Sequence, residues 1–354
     1  VLGPGSAWRK SSARGSGEST RADAVSEEGL RSAAFYFHAR SRQSPPGDRR
    51  AVLALYDACL SLFPSSPGAE EIAYQRAWLL FEDGRKKDAK TAFEGVALLP
   101  GGAREEVSWY MAVQCAKDIS SIPDAASQSE VVRLCREYER FFPAGERLYS
   151  ILMDRARAHV NLRQFGEAAR ASDRSATLAR DPPQVRASLR LTGDARFEEE
   201  EFEGSEKAFR AFLKADPSPE EAKEASKWVG FSMFRLAEKM PVEKAAEPAA
   251  LFTRVDLELP SLEIAPIARF RAGTSFETAG KTADAIAAFL SLESPDGLSP
   301  LSLESTRWLA RLYEKSGDPV AAAVRYERLA AAANPGPEEK TKNLLKAADL
   351  FSIG

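Results

Sequence analysis

The sequence predicts an all-α repeat protein, a solenoid of about eight helix-turn-helix hairpins closed by a C-terminal capping helix. Three observations predict it. Alanine makes up 59 of the 354 residues and asparagine only three, which favours helix and removes a common turn former. Apolar residues fall at helical rather than alternating spacing. A frame of small and aromatic residues also returns along the chain with a period near 37 residues, and a fixed period of this length marks stacked supersecondary units.

The composition removes several alternatives. Apolar residues are 44% and charged residues 29%, enough to bury a core. Lys plus Arg is 49 and Asp plus Glu is 52, a net charge of -3. That lacks the basic excess of a nucleic-acid surface, so no nucleic-acid partner is expected. No apolar run reaches the roughly 18 residues of a membrane span. Collagens, disulfide miniproteins, zinc ribbons and membrane channels are excluded on the same grounds. Cys59, Cys115 and Cys135 lie in partly apolar helical stretches without a C-x-x-C pattern, so they read as small buried hydrophobes.

Taken in order, residues 1–28 are rich in Gly, Ser, Arg and Glu and are expected to form a flexible tether, with GPGS partly a cloning remnant. The chain begins at Val1 rather than Met, and a segment before it is expected that would carry a signal peptide or membrane tether. The solenoid is expected over 29–335. Its first helix, 31–41, is followed by the loop-like SRQSPPGDRR. Segments 73–100, 271–295 and 307–335 each read helix, Gly-containing turn, helix, Pro. In all three, a small residue precedes another by 12 positions: Ala77/Ala89, Gly273/Ala285 and Ala310/Ala322. An aromatic follows four residues later, at Phe93, Phe289 and Tyr326. Small residues let antiparallel helices approach, and the aromatic fills the gap between one hairpin and the next.

The same frame places Tyr56, Phe93, Cys135, Ser172, Phe209, Phe252, Phe289 and Tyr326 in second helices, separated by 37, 42, 37, 37, 43, 37 and 37 residues. The small positions of the first helices are Ala77, Ala112, Ala156, Gly193, Gly230, Gly273 and Ala310. Pro64, Pro100, Pro143, Pro182, Pro217, Pro260, Pro295 and Pro335 are expected to close second helices, since Pro cannot continue one. Residues 336–354 are expected to be a capping helix, with Leu344, Leu345 and Leu350 covering the last hairpin. A first helix of a further repeat is the alternative.

On these residues the chain resembles the tetratricopeptide repeat (TPR) family over roughly 31–335. The family pattern W-x2-L-G-x2-Y, A-x3-F, P is matched by Leu309, Ala310, Tyr313, Gly317, Ala322 and Tyr326, and by Gly193, Phe209 and Pro217, with Ser205 in place of Ala. Repeats three and six are stretched by about six residues and match loosely. The long period is similar to that of bacterial envelope TPR lipoproteins. The resemblance implies a right-handed superhelix with a concave groove lined by first helices. The groove positions then fall at Tyr74, Trp78 and Phe81; at Trp109 and Val113; at Met153 and Arg157; at Arg190 and Asp194; at Lys227 and Phe231; at Phe270 and Thr274; and at Arg307 and Arg311. Aromatics and Arg anchor interfaces, and a peptide with apolar and acidic residues would suit this set. Heat-shock co-chaperones of the family grip a terminal carboxylate through Lys and Asn. Here Asn161, Asn334 and Asn343 do not stand at those positions, which argues against that role.

No catalytic residues, cofactor or metal site are expected. Ala279-Gly280-Lys281-Thr282 has Ser275 where a P-loop needs Gly, and follows a helix rather than a strand. His38 and His159 have no neighbours at ligand spacing. The acidic run Glu198–Glu201 with Glu203 reads as solvated surface, or else as a patch for a basic partner. The expected function is a non-catalytic scaffold that binds a protein or peptide. A self-assembling structural protein (a homo-oligomer) and a ligand-binding accessory subunit of a transport system are the alternatives. The expected location is the bacterial periplasm or cell envelope, with the cytoplasm as the alternative.

Overall fold

The computed structural model describes residues 17–41, 47–99, 102–119, 124–293, 299–332 and 336–353. Among them there are seventeen α-helices and no strand. Two compact units divide the chain, Val1–Ala179 and Arg180–Gly354.

The first unit holds four hairpins. They are α1 (Gly17–Ser41) with α2 (Gly47–Leu62), α3 (Ala69–Glu82) with α4 (Lys86–Ala97), α5 (Glu105–Ile119) with α6 (Ala125–Phe141), and α7 (Leu148–Asn161) with α8 (Phe165–Leu178). The second unit holds α9 (Pro182–Glu198) with α10 (Phe202–Leu213), α11 (Pro219–Lys239) with α12 (Ala246–Glu258), α13 (Ala265–Thr278) with α14 (Thr282–Leu290), α15 (Pro300–Ser316) with α16 (Pro319–Ala330), and a last helix α17 (Pro337–Ile353). Within each unit every helix packs on its neighbours in sequence. The eight hairpins and the closing helix agree with the fold class read from the repeats.

Small residues explain the hairpins. A Cβ added at Gly193 would stand 2.6 Å from the Phe209 ring, and one at Gly273 would stand 2.8 Å from Phe289. Each aromatic therefore lies directly on the first helix of its own hairpin. It also reaches the next, because Phe209 stacks on Trp228 at 6.0 Å and Phe289 on Trp308 at 5.7 Å. Gly230 departs from this pattern. Its Cβ would meet Leu262 and Leu259. Hairpin six is one of the two stretched ones, and its extra length is taken up by the 21-residue α11 and a 3-10 turn at Val242–Lys244.

Turns and caps set the helix ends. Gly84, Gly280 and Gly317 adopt left-handed φ of 76°, 73° and 79° between the helices of their hairpins. Arg163 and Glu200 hold the same kind of turn at 56° and 63° without the freedom of Gly. Asp181, Ser218, Ser299 and Asp318 cap the helices that follow them through their side chains, each with Pro just after. This pairing satisfies an orphan N–H and fixes φ. Pro182 is thus the first residue of α9, not the closing residue of α8 as expected from the frame. Pro64, Pro143, Pro217 and Pro260 follow second helices as expected. Pro100, Pro295 and Pro335 lie outside the described residues.

Two further expectations are corrected at the ends. Residues 17–28, read as part of a tether, lie in α1. Helix-favouring Glu and Ala stand there, three and two among the twelve, and Glu27 pairs with Arg31 and accepts from Ser66. Residues 1–16 lie outside the described residues. In α17 the leucines do not make the cover: Leu344 is 47% and Leu345 64% exposed. Ala347 is the buried residue of α17. It stands one repeat length beyond Ala310, so α17 packs with the small-residue face of a first helix.

The three cysteines are free and buried. Burial pushes the Cys115 thiol up to about 12 and also raises those of Cys59 and Cys135. His38 Nδ1 lies 2.8 Å from the Tyr56 hydroxyl, and His159 Nδ1 lies 2.7 Å from Gln164 Oε1. Both rings are packed inside hairpins, and burial lowers the pKa of His159.

Candidate partner-binding surface

Two kinds of helix surface emerge in each unit. Second helices of adjacent hairpins are tied together by ion pairs. Lys90 and Glu94 of α4 meet Glu130 and Arg133 of α6, with Lys90 2.6 Å from Glu130 and Arg133 2.8 Å from Glu94. Arg210 and Glu206 of α10 meet Glu258 and Arg254 of α12 at 2.5 and 3.0 Å. Glu293, just after α14, holds Arg325 and Arg328 of α16. These surfaces have their charges matched internally.

The first helices differ. In the first unit, Trp78 meets Tyr74, Phe81 and Phe93 edge-on at 6.3, 5.6 and 5.9 Å. Lys86 sits 3.1 Å over the Phe81 ring and Arg104 4.8 Å over Tyr74. Tyr74 is only 6% exposed and Trp109 only 3%, and Val113 and Met153 are also buried. These four residues support the surface rather than present a free face. Trp78 and Phe81 remain half-buried. On α5 and α7, Asp154 is a side chain that sequence reasoning missed. It is 4% exposed and held by Lys117 at 2.7 Å, with Gln114 donating at 3.2 Å and Arg157 at 3.5 Å. Lys117 and Asp154 stand 37 residues apart, a period's length, but neither belongs to the frame of small and aromatic residues, so the fold reveals this group.

In the second unit the expected positions divide in the same way. Phe270 packs on Phe289 at 5.4 Å. Phe231 is half-buried against Trp228, which also touches Phe197 at 5.0 Å. Thr274 donates back to the Arg271 carbonyl. Arg190 and Lys227 pair only with acids of their own helices, Asp194 at 3.9 Å and Glu224 at 3.7 Å. Exposed same-helix pairs of this kind contribute only about 0.3–0.5 kcal/mol, so a partner's groups can replace them. Arg307 and Arg311 line a cleft of about 660 Å³ between α15, α16 and α17, with Tyr326 and Leu329 also on its walls.

The other motifs fall into place. Lys281 follows the left-handed Gly280 in the α13–α14 turn, with a helix on each side. Within the acidic run Glu200 pairs with Lys239, and Glu203 pairs with Lys207. Among the described residues, no cluster of His, Cys, Asp or Glu could hold a metal ion, and no helix is long and apolar enough to cross a membrane.

A protein with these surfaces belongs to the class of helical-hairpin repeat proteins. Residues 153–219 and 270–337 match the tetratricopeptide repeat family, so these two segments carry tetratricopeptide repeats. Solved structures similar to it include a tetratricopeptide repeat protein from Parabacteroides merdae, at 12% identity and TM-score 0.38 over 79% of this chain and 98% of that one. The TPR domain of P58(IPK) is similar at 16% identity and TM-score 0.30, over 93% and 95%. The TPR2AB domain of yeast Sti1, in complex with pHSP90, is similar at 13% identity and TM-score 0.35, over 90% and 99%. No curated protein sequence matches the chain.

Proposed function

We propose that this chain is a non-catalytic scaffold that holds a peptide or protein partner against its first helices. One observation carries the reading. Second helices match their charges across hairpins, whereas the half-buried Trp78, Phe81 and Phe231 stand on first helices whose Arg157, Arg190 and Lys227 pair within their own helix. Aromatic and Arg side chains bury area and make directional contacts, which is how a few residues come to dominate an interface. The fold supports the reading because stacked hairpins expose a continuous row of first-helix surface within a unit.

The test is selection of peptides from a random display library against the whole chain. A selected peptide is expected to lose at least about tenfold in affinity with Arg157→Glu or Phe231→Ala, while thermal melting shows both variants folded. Equal affinity for wild type and both variants would remove the first-helix assignment. Location in the bacterial envelope is part of the same proposal. It is supported by the long repeat period, and fractionation of native cells tests it, with recovery in the cytosolic fraction alone as the contrary result.

A further inference from the structure

Resting on that scaffold reading, we infer that the cleft between α15 and α17 receives an acidic side chain from an internal segment of the partner peptide. The two first helices lie side by side with charged rungs between them. At one end Arg307 pairs with Glu339 at 3.2 Å, and at the other Lys346 pairs with Glu314 at 2.9 Å. Both rungs join residues 32 apart in sequence. Carried to the middle, the same 32-residue register sets Arg311 opposite Asn343, with Lys342 next to it in sequence, and all three line the cleft.

The middle rung therefore carries donors from both helices. Arg311 contacts the Trp308 ring at 6.0 Å. Among the described residues, neither Arg311 nor Lys342 makes an ion pair. The nearby Lys315 reaches instead to Glu277 of α13. The cleft as a whole holds five cations against two carboxylates, Glu314 and Glu339. A carboxylate entering the middle rung would complete the alternation found at both ends. Guanidinium and ammonium groups supply it with charge-assisted hydrogen bonds. Arg190 and Lys227 of this unit already have acids on their own helices, whereas the cleft brings together two cations without an ion pair among the described residues, Arg311 and Lys342.

The test uses two fluorescein-labelled peptides amidated at the C-terminus, one alternating Asp and Glu with Leu, the other carrying Asn and Gln instead. Amidation removes the terminal carboxylate, so binding reports acidic side chains. Anisotropy is expected to show the acidic peptide binding at least about tenfold tighter than its neutral counterpart at low salt, weakening as salt screens the pair. Arg311→Gln with Lys342→Gln should abolish that preference. Lys87→Gln with Lys223→Gln removes the same charge elsewhere and should leave it intact. Equal binding of the two peptides, no binding of either, or equal loss in both double variants would overturn the inference. A display-selected peptide that still binds through Arg157 and Phe231 would leave the scaffold reading standing while this cleft assignment falls.

Discussion

At the scale of single residues, the fold depends on where side chains are missing. Gly273 carries the Phe289 ring where a Cβ would sit. Gly273→Ala gains about 1 kcal/mol of helix propensity, but overpacking costs roughly 1–3 kcal/mol. The variant is expected to be less stable in chemical denaturation. In a Phe289→Leu background the same substitution should become neutral or stabilising, and equal effects in both backgrounds would show that the ring is not the cause. Gly317 is a different case. Its φ is 79° and an added Cβ would meet nothing within 4 Å, so Gly317→Ala isolates the backbone cost of about 1 kcal/mol. Glu200→Gly, at the corresponding turn, relieves the same backbone cost but gives up the exposed pair with Lys239, so it should shift the denaturation midpoint upward by less. Matching signs for the two substitutions would contradict this account of the turns.

At the scale of elements, second helices are joined by charge. Glu130 accepts from Arg133 of its own helix and from Lys90 of α4. The Arg133 hydrogen bonds, with Lys90 added, outweigh burial and hold its carboxyl at about 2. A carboxyl lowered on folding stabilises the fold above its unfolded value near 4.5, and that contribution is lost as pH falls through about 2. Stability measured by denaturation from pH 6 down to pH 2 should therefore decline, less steeply in Glu130→Gln. An identical slope would place the acid sensitivity elsewhere.

The elements were largely legible because period and packing share one cause. Gly193 and Phe209 are a steric pair that sequence spacing can show. Pro182 was misread because one residue type serves both helix ends, and only the Asp181 cap tells them apart. Residues 17–28 were misread because Ser and Gly content hid the start of a helix that runs on to Ser41 and meets Ser66, far along the chain, through Glu27. The surface was less legible. Groove positions assigned by offset cannot separate Trp109, which is buried, from Arg311, which is exposed, since both stand on the same kind of helix. Asp154 and the Arg311–Asn343 rung, with Lys342 beside it, depend on neighbouring first helices, a relation that no local spacing carries.

At the scale of the whole molecule, each unit buries its small-residue faces between hairpins, and the proposed function assigns its first helices to a partner. Hydrogen exchange on the full chain, with and without a display-selected peptide, tests that claim most directly. Added protection is expected along first helices, α3, α5 and α7 in the first unit and α11, α13, α15 and α17 in the second, while α4, α6, α10 and α12 keep their free-state rates. Protection concentrated on those second helices instead would contradict the account.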